Sequence, residues 1–563
     1  MSSLPQAVDF APSPAAASAP WRQVGVALAV LVVASAYLAT LGAAPLIEPD
    51  EPRYAEVARE MVESGDWLTP RLNYVKYFEK PPLIPWLTAL NILIFGTSEW
   101  AVRLWPAVFG LLGIGVAGWM ERRIYGTPVG LVSALVLASA PMYFGISQVL
   151  ILDMPLTGLL SLAMAAAWVV AEHPQRQRRA ELVFALCVAL AVLTKGPVAI
   201  VLAGGSVLTF ALLSRDWLWW TRLISLPSLI LAITVAAPWF VAVSLRNPEF
   251  ARFFFIEQHV GRYLEPTEHR QPLWFFVPFL LVGFLPWSLT LLVALRAAAT
   301  KLARNFALGS RGSLFLLSWV LFPLGFFSLS GSKLATYILP VFPALAVLLS
   351  RSLARVMEKQ DRPALRAGAG LLVVLGIGAL GASRLAPLVS SHPRTLPLTP
   401  LLLAGGLALL IGGLAAWRAA KARTAWWWFA AVVGTTLALE LVAFAGRGVA
   451  QHYKPLALAI REAWQPGDRI VLLGHYTQGI PFYTGQRVIV VRSWGELDFG
   501  SRQGDQAAYF WREEEKLFRA WREPSRMFLV LNQTELPRIA PRLDPPPREL
   551  ARWQKKVVIV NFR

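Results

Sequence analysis

Val24-Gly25-Val26-Ala27-Leu28-Ala29-Val30-Leu31-Val32-Val33-Ala34-Ser35-Ala36-Tyr37-Leu38-Ala39-Thr40-Leu41-Gly42-Ala43-Ala44-Pro45-Leu46-Ile47 runs directly into Glu48-Pro49-Asp50-Glu51-Pro52-Arg53-Tyr54. The apolar stretch follows Arg22. It is long enough to cross the hydrocarbon core, which takes about 20 residues, and too long for the h-region of a cleaved signal peptide. It reads as a retained membrane span whose far end delivers carboxylates to the water–lipid boundary. Twelve further apolar runs fall at about 100–120, 128–150, 155–171, 181–194, 197–214, 223–245, 272–295, 312–330, 337–350, 367–388, 398–417 and 425–446, making thirteen.

Composition agrees with a chain that uses the bilayer as solvent. Of 563 residues, 56% are hydrophobic and 15% charged, too few charges to coat several water-soluble cores. Disorder over most of the chain is excluded by its 30 Phe and 23 Trp, more apolar material than unfolded segments carry. Residues 1–20, rich in Ala, Pro and Ser, read as a disordered cytoplasmic tail. The single cysteine, Cys187, rules out an intrachain disulfide and a cysteine-based metal site.

The net charge of +19 suggests nucleic acid until its distribution is read. Alternate connections carry Arg122/Arg123, Arg176/Arg178/Arg179, Arg215/Arg222, Arg296/Lys301/Arg304/Arg311, Arg351/Arg355/Lys359/Arg362/Arg366 and Arg418/Lys421/Arg423. Short cytoplasmic loops accumulate Lys and Arg in this way. The opposite loop 47–99 holds nine carboxylates against five Lys or Arg. The charge is topological, so membrane lipids are the expected surroundings and nucleic acid is not a partner. Nothing in the pattern bears on oligomeric state.

An odd number of spans puts the region after 448 outside. There, short β-rich runs (Arg469–Leu473, Arg487–Val491, Met527–Asn532, Lys556–Phe562) alternate with helical stretches at 455–464 and 512–522, the pattern of a small α/β domain. The expected fold is a polytopic α-helical membrane protein. Its parts are a tail (1–20), a transmembrane catalytic domain (21–447) with outer loops 47–99 and 246–271, and a C-terminal α/β domain (448–563). The string Gly376-Ile377-Gly378-Ala379-Leu380-Gly381 matches a dinucleotide fingerprint, but it lies within a span with no preceding strand. Close helix packing explains its small residues better.

The chemistry-bearing residues gather in the outer loops. After Pro52, Tyr54, Val57, Ala58, Met61 and Val62 share one helical face while Arg53, Glu56, Glu60 and Glu63 take the other, which predicts a helix lying in the interface plane. Asp50 and Glu51 at its start either complement the helix N-terminus or serve chemistry; position leaves both open. In Tyr77-Phe78-Glu79-Lys80-Pro81-Pro82-Leu83-Ile84-Pro85-Trp86, the stiff backbone suits Lys80 to be a fixed point charge for a phosphate, or an interfacial anchor beside Trp86. Three short outer turns each hold one ionisable group: Asp153 before Pro155, Lys195, and Lys333 with Tyr337 nearby. Ionisable groups at membrane depth usually line a functional cavity; for Asp153, capping of the following helix is the plainer alternative. Loop 246–271 adds Arg252, Glu257, His259 and Arg262. His259 with Glu79 is a conceivable divalent-metal pair, although ordinary hydrogen-bonded histidine is the commoner role.

Asp50-Glu51-Pro52-Arg53-Tyr54-Ala55-Glu56, together with Phe78-Glu79-Lys80-Pro81-Pro82-Leu83, resembles the bacterial lipid A aminoarabinose transferases. These are polyprenyl-phosphate-dependent glycosyltransferases of the GT-C class, related to protein O-mannosyltransferases. The resemblance implies a GT-C-like inner-membrane enzyme with its site facing the periplasm. It would move 4-amino-4-deoxy-L-arabinose from undecaprenyl phosphate to a phosphate of lipid A. On that basis Asp50 and Asp153 are the catalytic acids, and Arg53, Lys80, Lys195, Lys333 and Tyr337 hold the donor phosphate. Glu51, Arg252 and Arg262 position acceptor or loop. No cofactor is required, and a divalent metal at His259 and Glu79 is an option. The rival with the same fold is a protein O-mannosyltransferase. A rival of another class is a lipid transporter or flippase, against which stands the lack of any second copy of the acidic loop and of a P-loop.

Overall fold

The helix Leu226–Arg246 shows how this chain is built. It leaves Leu226 71%, Ile233 62% and Leu245 80% exposed. Such a surface is unfavourable in water and at home in lipid, where a helix also satisfies its own backbone polar groups. The computed structural model describes residues 20–562 apart from 127–129, 174, 176, 262–269, 289, 291–310, 390–397 and 423. The expected tail (1–20) therefore lies outside the described residues but for Pro20.

In chain order the main helices are α1 (Pro20–Ala39), α2 (Asp50–Ser64), α3 (Leu83–Phe95), α4 (Glu99–Tyr125), α5 (Asp153–Glu172), α6 (Arg178–Lys195), α7 (Val198–Ser214), α8 (Leu226–Arg246), α9 (Arg311–Leu329), α10 (Phe342–Glu358), α11 (Arg362–Val389), α12 (Leu398–Ala419) and α13 (Trp426–Ala445). Among the described residues, eight helices are long and apolar enough to cross a membrane, and four more are apolar but shorter. The thirteen apolar runs do not map one to one onto helices. The run at 128–150 is two short helices, Leu131–Ala138 and Pro141–Ser147, parted just before Pro141, whose ring cannot continue a helix. Conversely α3, inside the expected outer loop, is an apolar helix of 13 residues, too short for a spanning-length criterion.

Among the described residues, several of the basic connections touch one another. Arg123 pairs with Glu172 at 2.5 Å, Arg311 with Asp216 at 2.7 Å, and the Arg351 guanidinium lies over the Tyr125 ring. The small residues of the rejected fingerprint pack α11 on α12: a Cβ on Gly376 would stand 2.9 Å from the Gly406 carbonyl oxygen.

The C-terminal domain begins with α14 (Lys454–Ala463) and carries a six-stranded mixed sheet. With a short outer-loop hairpin, β1 (Arg71–Leu72) and β2 (Val75–Lys76), numbered first, its strands are β3 (Arg469–Leu473), β4 (Ile489–Val491), β5 (Phe510–Trp511), β6 (Met527–Asn532), β7 (Arg548–Trp553) and β8 (Lys556–Val560), ordered β5-β4-β3-β6-β8-β7. β5, β4, β3 and β6 run parallel, and β8 and β7 are antiparallel additions. Both faces are covered: Leu472, Val490, Phe528 and Val558 join the core shared with the bundle, while Val471, Val491, Leu529 and Val557 pack with Leu517 and Trp521. Covered faces give the continuous apolar runs legible in the sequence. Edge strand β7 carries exposed Arg548, Glu549 and Arg552 and reads as a polar loop, as protected edges do.

Within the bundle, a buried ion pair ties the end of the first span to α2, α4 and the segment before α5. Arg103 on α4 and Glu51 on α2 are both fully buried. Arg103 Nε and Nη2 donate to Glu51 at 2.6 and 2.7 Å, and its Nη atoms donate to the carbonyls of Leu41, Ala44 and Pro45. All five guanidinium N–H groups are thereby used. Glu51 also accepts the backbone N–H groups of Ile47 and Leu150. Removing one partner of such a pair strands a buried charge, so Arg103→Leu should lower stability by about 3–5 kcal/mol. Thermal unfolding of the purified protein in detergent measures it, with Arg103→Lys failing to restore the wild-type midpoint.

Candidate active site

The end of α1's span, the start of α2 and the loop before α3 face the C-terminal sheet across a cavity of about 1370 Å³. Asp50 is the first residue of α2 and Asp153 the first of α5. Neither stands at the cap position, and neither preceding residue caps its helix with a side chain. Both line the cavity, and each acid has a base: Arg53 Nη1 is 3.0 Å from Asp50, and Lys195 Nζ is 2.7 Å from Asp153. Lys195 also lies 4.9 Å from the centre of the Tyr337 ring. Lys80, Glu79 and Tyr337 line the same cavity. The turns that carry these groups are far apart in sequence and converge because their helices emerge at one end of one bundle.

The C-terminal domain supplies the opposite wall. Arg53 Nε is 2.5 Å from Glu496, whose other oxygen accepts from Gln478 Nε2 at 2.6 Å. Burial works against Arg53's charge, but Tyr77, Glu496, Tyr54 and Asp50 around it outweigh that and hold the guanidinium above its ordinary pKa. Burial pushes the Glu496 carboxyl up. The buried Tyr54 phenol is raised by burial, with Asp50, Glu79 and Asp153 adding to the effect. Glu48 accepts the Gly479 N–H at 2.7 Å, and burial pushes its carboxyl up to about 7, partly offset by that hydrogen bond and by Lys556. Burial lowers Lys556 in turn.

Several predicted residues stand elsewhere. Glu51 has no face on the cavity; it is the buried partner of Arg103, so it positions the loop and cannot touch an acceptor. Lys333 is buried, donates to the carbonyls of Gln271 and Ser330 at 2.8 and 2.5 Å, and does not line the cavity. Its ammonium is spent on loop backbone, which corrects its assignment to the donor phosphate. Arg252 points outward with its side chain 83% exposed, 3.5 Å from Glu257. Arg262 and the side chain of His259 lie outside the described residues. Among the described residues no three His, Cys, Asp or Glu are grouped to hold a metal. The polar face of α2 is not free at an interface either. Glu56 and Glu60 are fully buried; Arg59 pairs with Glu56 at 2.7 Å and the Tyr74 N–H donates to Glu60, because the C-terminal domain covers the helix.

The family model for dolichyl-phosphate-mannose-protein mannosyltransferase matches residues 79–241, and that for the aminoarabinose transferase C-terminal domain matches 456–561. An undecaprenyl phosphate-alpha-4-amino-4-deoxy-L-arabinose arabinosyl transferase from Pseudomonas paraeruginosa is 34% identical over 68% of this chain and 69% of its own. The chain belongs to the aminoarabinose transferase family. The correspondingly named protein of an Enterobacter species is 34% identical, and the match spans 56% of this chain and 57% of the relative's length. The crystal structure of ArnT from Cupriavidus metallidurans bound to undecaprenyl phosphate superimposes with a TM-score of 0.84 at 29% identity, over 97% of this chain and 99% of that one. The fold is thus that of a GT-C aminoarabinose transferase, a multi-span membrane protein with a C-terminal sheet domain.

Sequence reading missed the site residues Glu48, Gln478, Glu496 and Lys556. Glu48 was visible beside the acidic motif; the other three come from a domain with no motif at all. The Glu48–Gly479 hydrogen bond clips bundle to C-terminal domain, and a Cβ at Gly479 would stand 2.7 Å from Glu48 Oε1. Gly479→Ala should displace the carboxylate and lower the unfolding free energy by about 1–2 kcal/mol, seen as a lower thermal midpoint and faster proteolytic release of the C-terminal domain.

Proposed function

We propose that this aminoarabinose transferase moves 4-amino-4-deoxy-L-arabinose from undecaprenyl phosphate to a phosphate of lipid A, at the periplasmic face of the inner membrane. The observation that carries the reading is the meeting of Asp50–Arg53, Lys80 and Asp153–Lys195–Tyr337 around one cavity at the end of the bundle opposite the basic loops. The positive-inside bias of the basic loops supports reading that end as periplasmic. Membrane-anchored donor and acceptor would account for a polar site at the bilayer boundary.

In the reaction, the bond from the sugar's anomeric carbon to the donor phosphate oxygen breaks, and its electron pair leaves with undecaprenyl phosphate. An oxygen of the acceptor phosphate forms the new bond. That phosphate has a second pKa near 6, so it is largely ionised at neutral pH and needs no strong base. Asp50 orients it and stabilises positive charge growing on the sugar ring, as carboxylates do in oxocarbenium-like transfers. Lys80 and Arg53 neutralise the leaving phosphate, and Lys195 couples Asp153 to the same pocket. No nucleotide sugar takes part, because the sugar arrives on its lipid.

The decisive assay incubates the purified protein with aminoarabinose-charged undecaprenyl phosphate and lipid A and weighs the lipid A. The expected result is a mass gain that is lost in Asp50→Asn. Transfer to a peptide acceptor alone would move the protein to the mannosyltransferase-like reading, and lipid movement without transfer to a flippase. Lys80→Ala should raise the KM for the donor about 10-fold or more while membrane insertion stays normal, since a charge-assisted hydrogen bond is worth about 1.5–3 kcal/mol. Unchanged donor kinetics would reduce Lys80 to an interfacial anchor.

A further inference from the structure

The charges lining the cavity do not suit phosphate alone. Six carboxylates, on Glu48, Asp50, Glu79, Asp153, Glu257 and Glu496, face five Lys and Arg. A pocket that only gripped phosphates would carry an excess of cations. Most of the acids that can be traced are already answered. Asp50 and Glu496 share Arg53, Asp153 has Lys195, and Glu257 has Arg252.

Glu48 and Glu79 are left. Among the described residues neither has an ion-pair partner, and of the two Glu48 is the one tied to the C-terminal domain, by the Gly479 N–H. Its backbone N–H donates to the Gln451 carbonyl at 2.9 Å and its Oε1 takes the Gly479 N–H at 2.7 Å. Both ends are fixed, so the carboxylate is aimed without reorganisation. The Gly479 and Gln478 N–H groups and Lys556 offset only part of its desolvation, and Glu496 adds repulsion. A buried carboxylate whose one nearby cation, Lys556, is not in ion-pair contact is incompletely compensated, and a cation arriving in contact would complete it.

The geometry points to Glu48 as the recognition group for the sugar's 4-amino substituent, its carboxylate receiving the ammonium through a charge-assisted hydrogen bond two residues from Asp50. This rests on the donor named under the proposed function. It assigns selectivity: a neutral pentose on the same carrier would leave Glu48 with only that partial compensation. An aliphatic amine is protonated at neutral pH and supplies the missing charge. Sites built to hydrogen-bond one substituent discriminate against analogues lacking it, because the protein group is then left unpaired. The Gly479 contact could instead make Glu48 a purely mechanical clip, and the test separates the two.

Transfer to lipid A is measured for the full-length protein with two donors, undecaprenyl phosphate carrying 4-amino-4-deoxy-L-arabinose or plain L-arabinose. Wild-type protein should prefer the amino donor. Glu48→Gln keeps an oxygen for the Gly479 N–H but removes the charge. It should collapse the ratio of kcat/KM values by about 10- to 100-fold, the range for losing a charged hydrogen bond, chiefly through KM for the amino donor; Glu48→Asp should recover part of it. An equal loss with both donors, or an unchanged ratio, overturns the assignment and leaves Glu48 as a clip. Transfer of neither donor by wild-type protein instead sinks the functional reading, a result distinct from loss of selectivity.

Discussion

Arg103 and Glu51 set the geometry on which the site depends. A guanidinium and a carboxylate, both removed from solvent, are stable only when every donor and acceptor is met, and here the partners come from four places. The end of the first span gives its carbonyls, α2 gives the acid, α4 the base, and the segment before α5 the Leu150 N–H. The pair gives direction more than energy, since buried ion pairs seldom exceed their own desolvation penalty. Asp50 precedes Glu51 and Asp153 follows Leu150 by three residues, so the same lock aims both acids at one cavity.

The cavity belongs to neither half of the protein. The bundle brings Asp50, Lys80, Asp153 and Lys195; the C-terminal sheet brings Gln478, Glu496 and Lys556. Arg53 is the shared group, held between Asp50 and Glu496. Burying the polar face of α2 beneath the C-terminal domain excludes water from the base of the site. Charge interactions there act at lower effective dielectric than at a surface, which suits the transfer proposed above. The tail domain is therefore one wall of the site as well as a cover for the bundle.

Much of the architecture was legible in the residues. Apolar runs marked the membrane, alternating basic loops marked its sides, and the strands Arg469–Leu473 and Met527–Asn532 were read with the bounds they have. Failures have local causes. Strand β7 is charged and exposed at a sheet edge, α3 is short, and Glu51 and Lys333 look like site groups in sequence although their charges are spent on Arg103 and on loop carbonyls.

Hydropathy and charge bias therefore determined, without coordinates, that the chain is a membrane bundle with an acidic outer loop and an appended α/β domain, because both properties act residue by residue along the chain. Which ionisable groups face one another was decided only by tertiary structure. A buried charge takes whatever partner the packing of distant elements brings within about 3 Å. No local pattern encodes the meeting of Arg53 with Glu496, or of Glu48 with Gly479, more than 400 residues away in the chain.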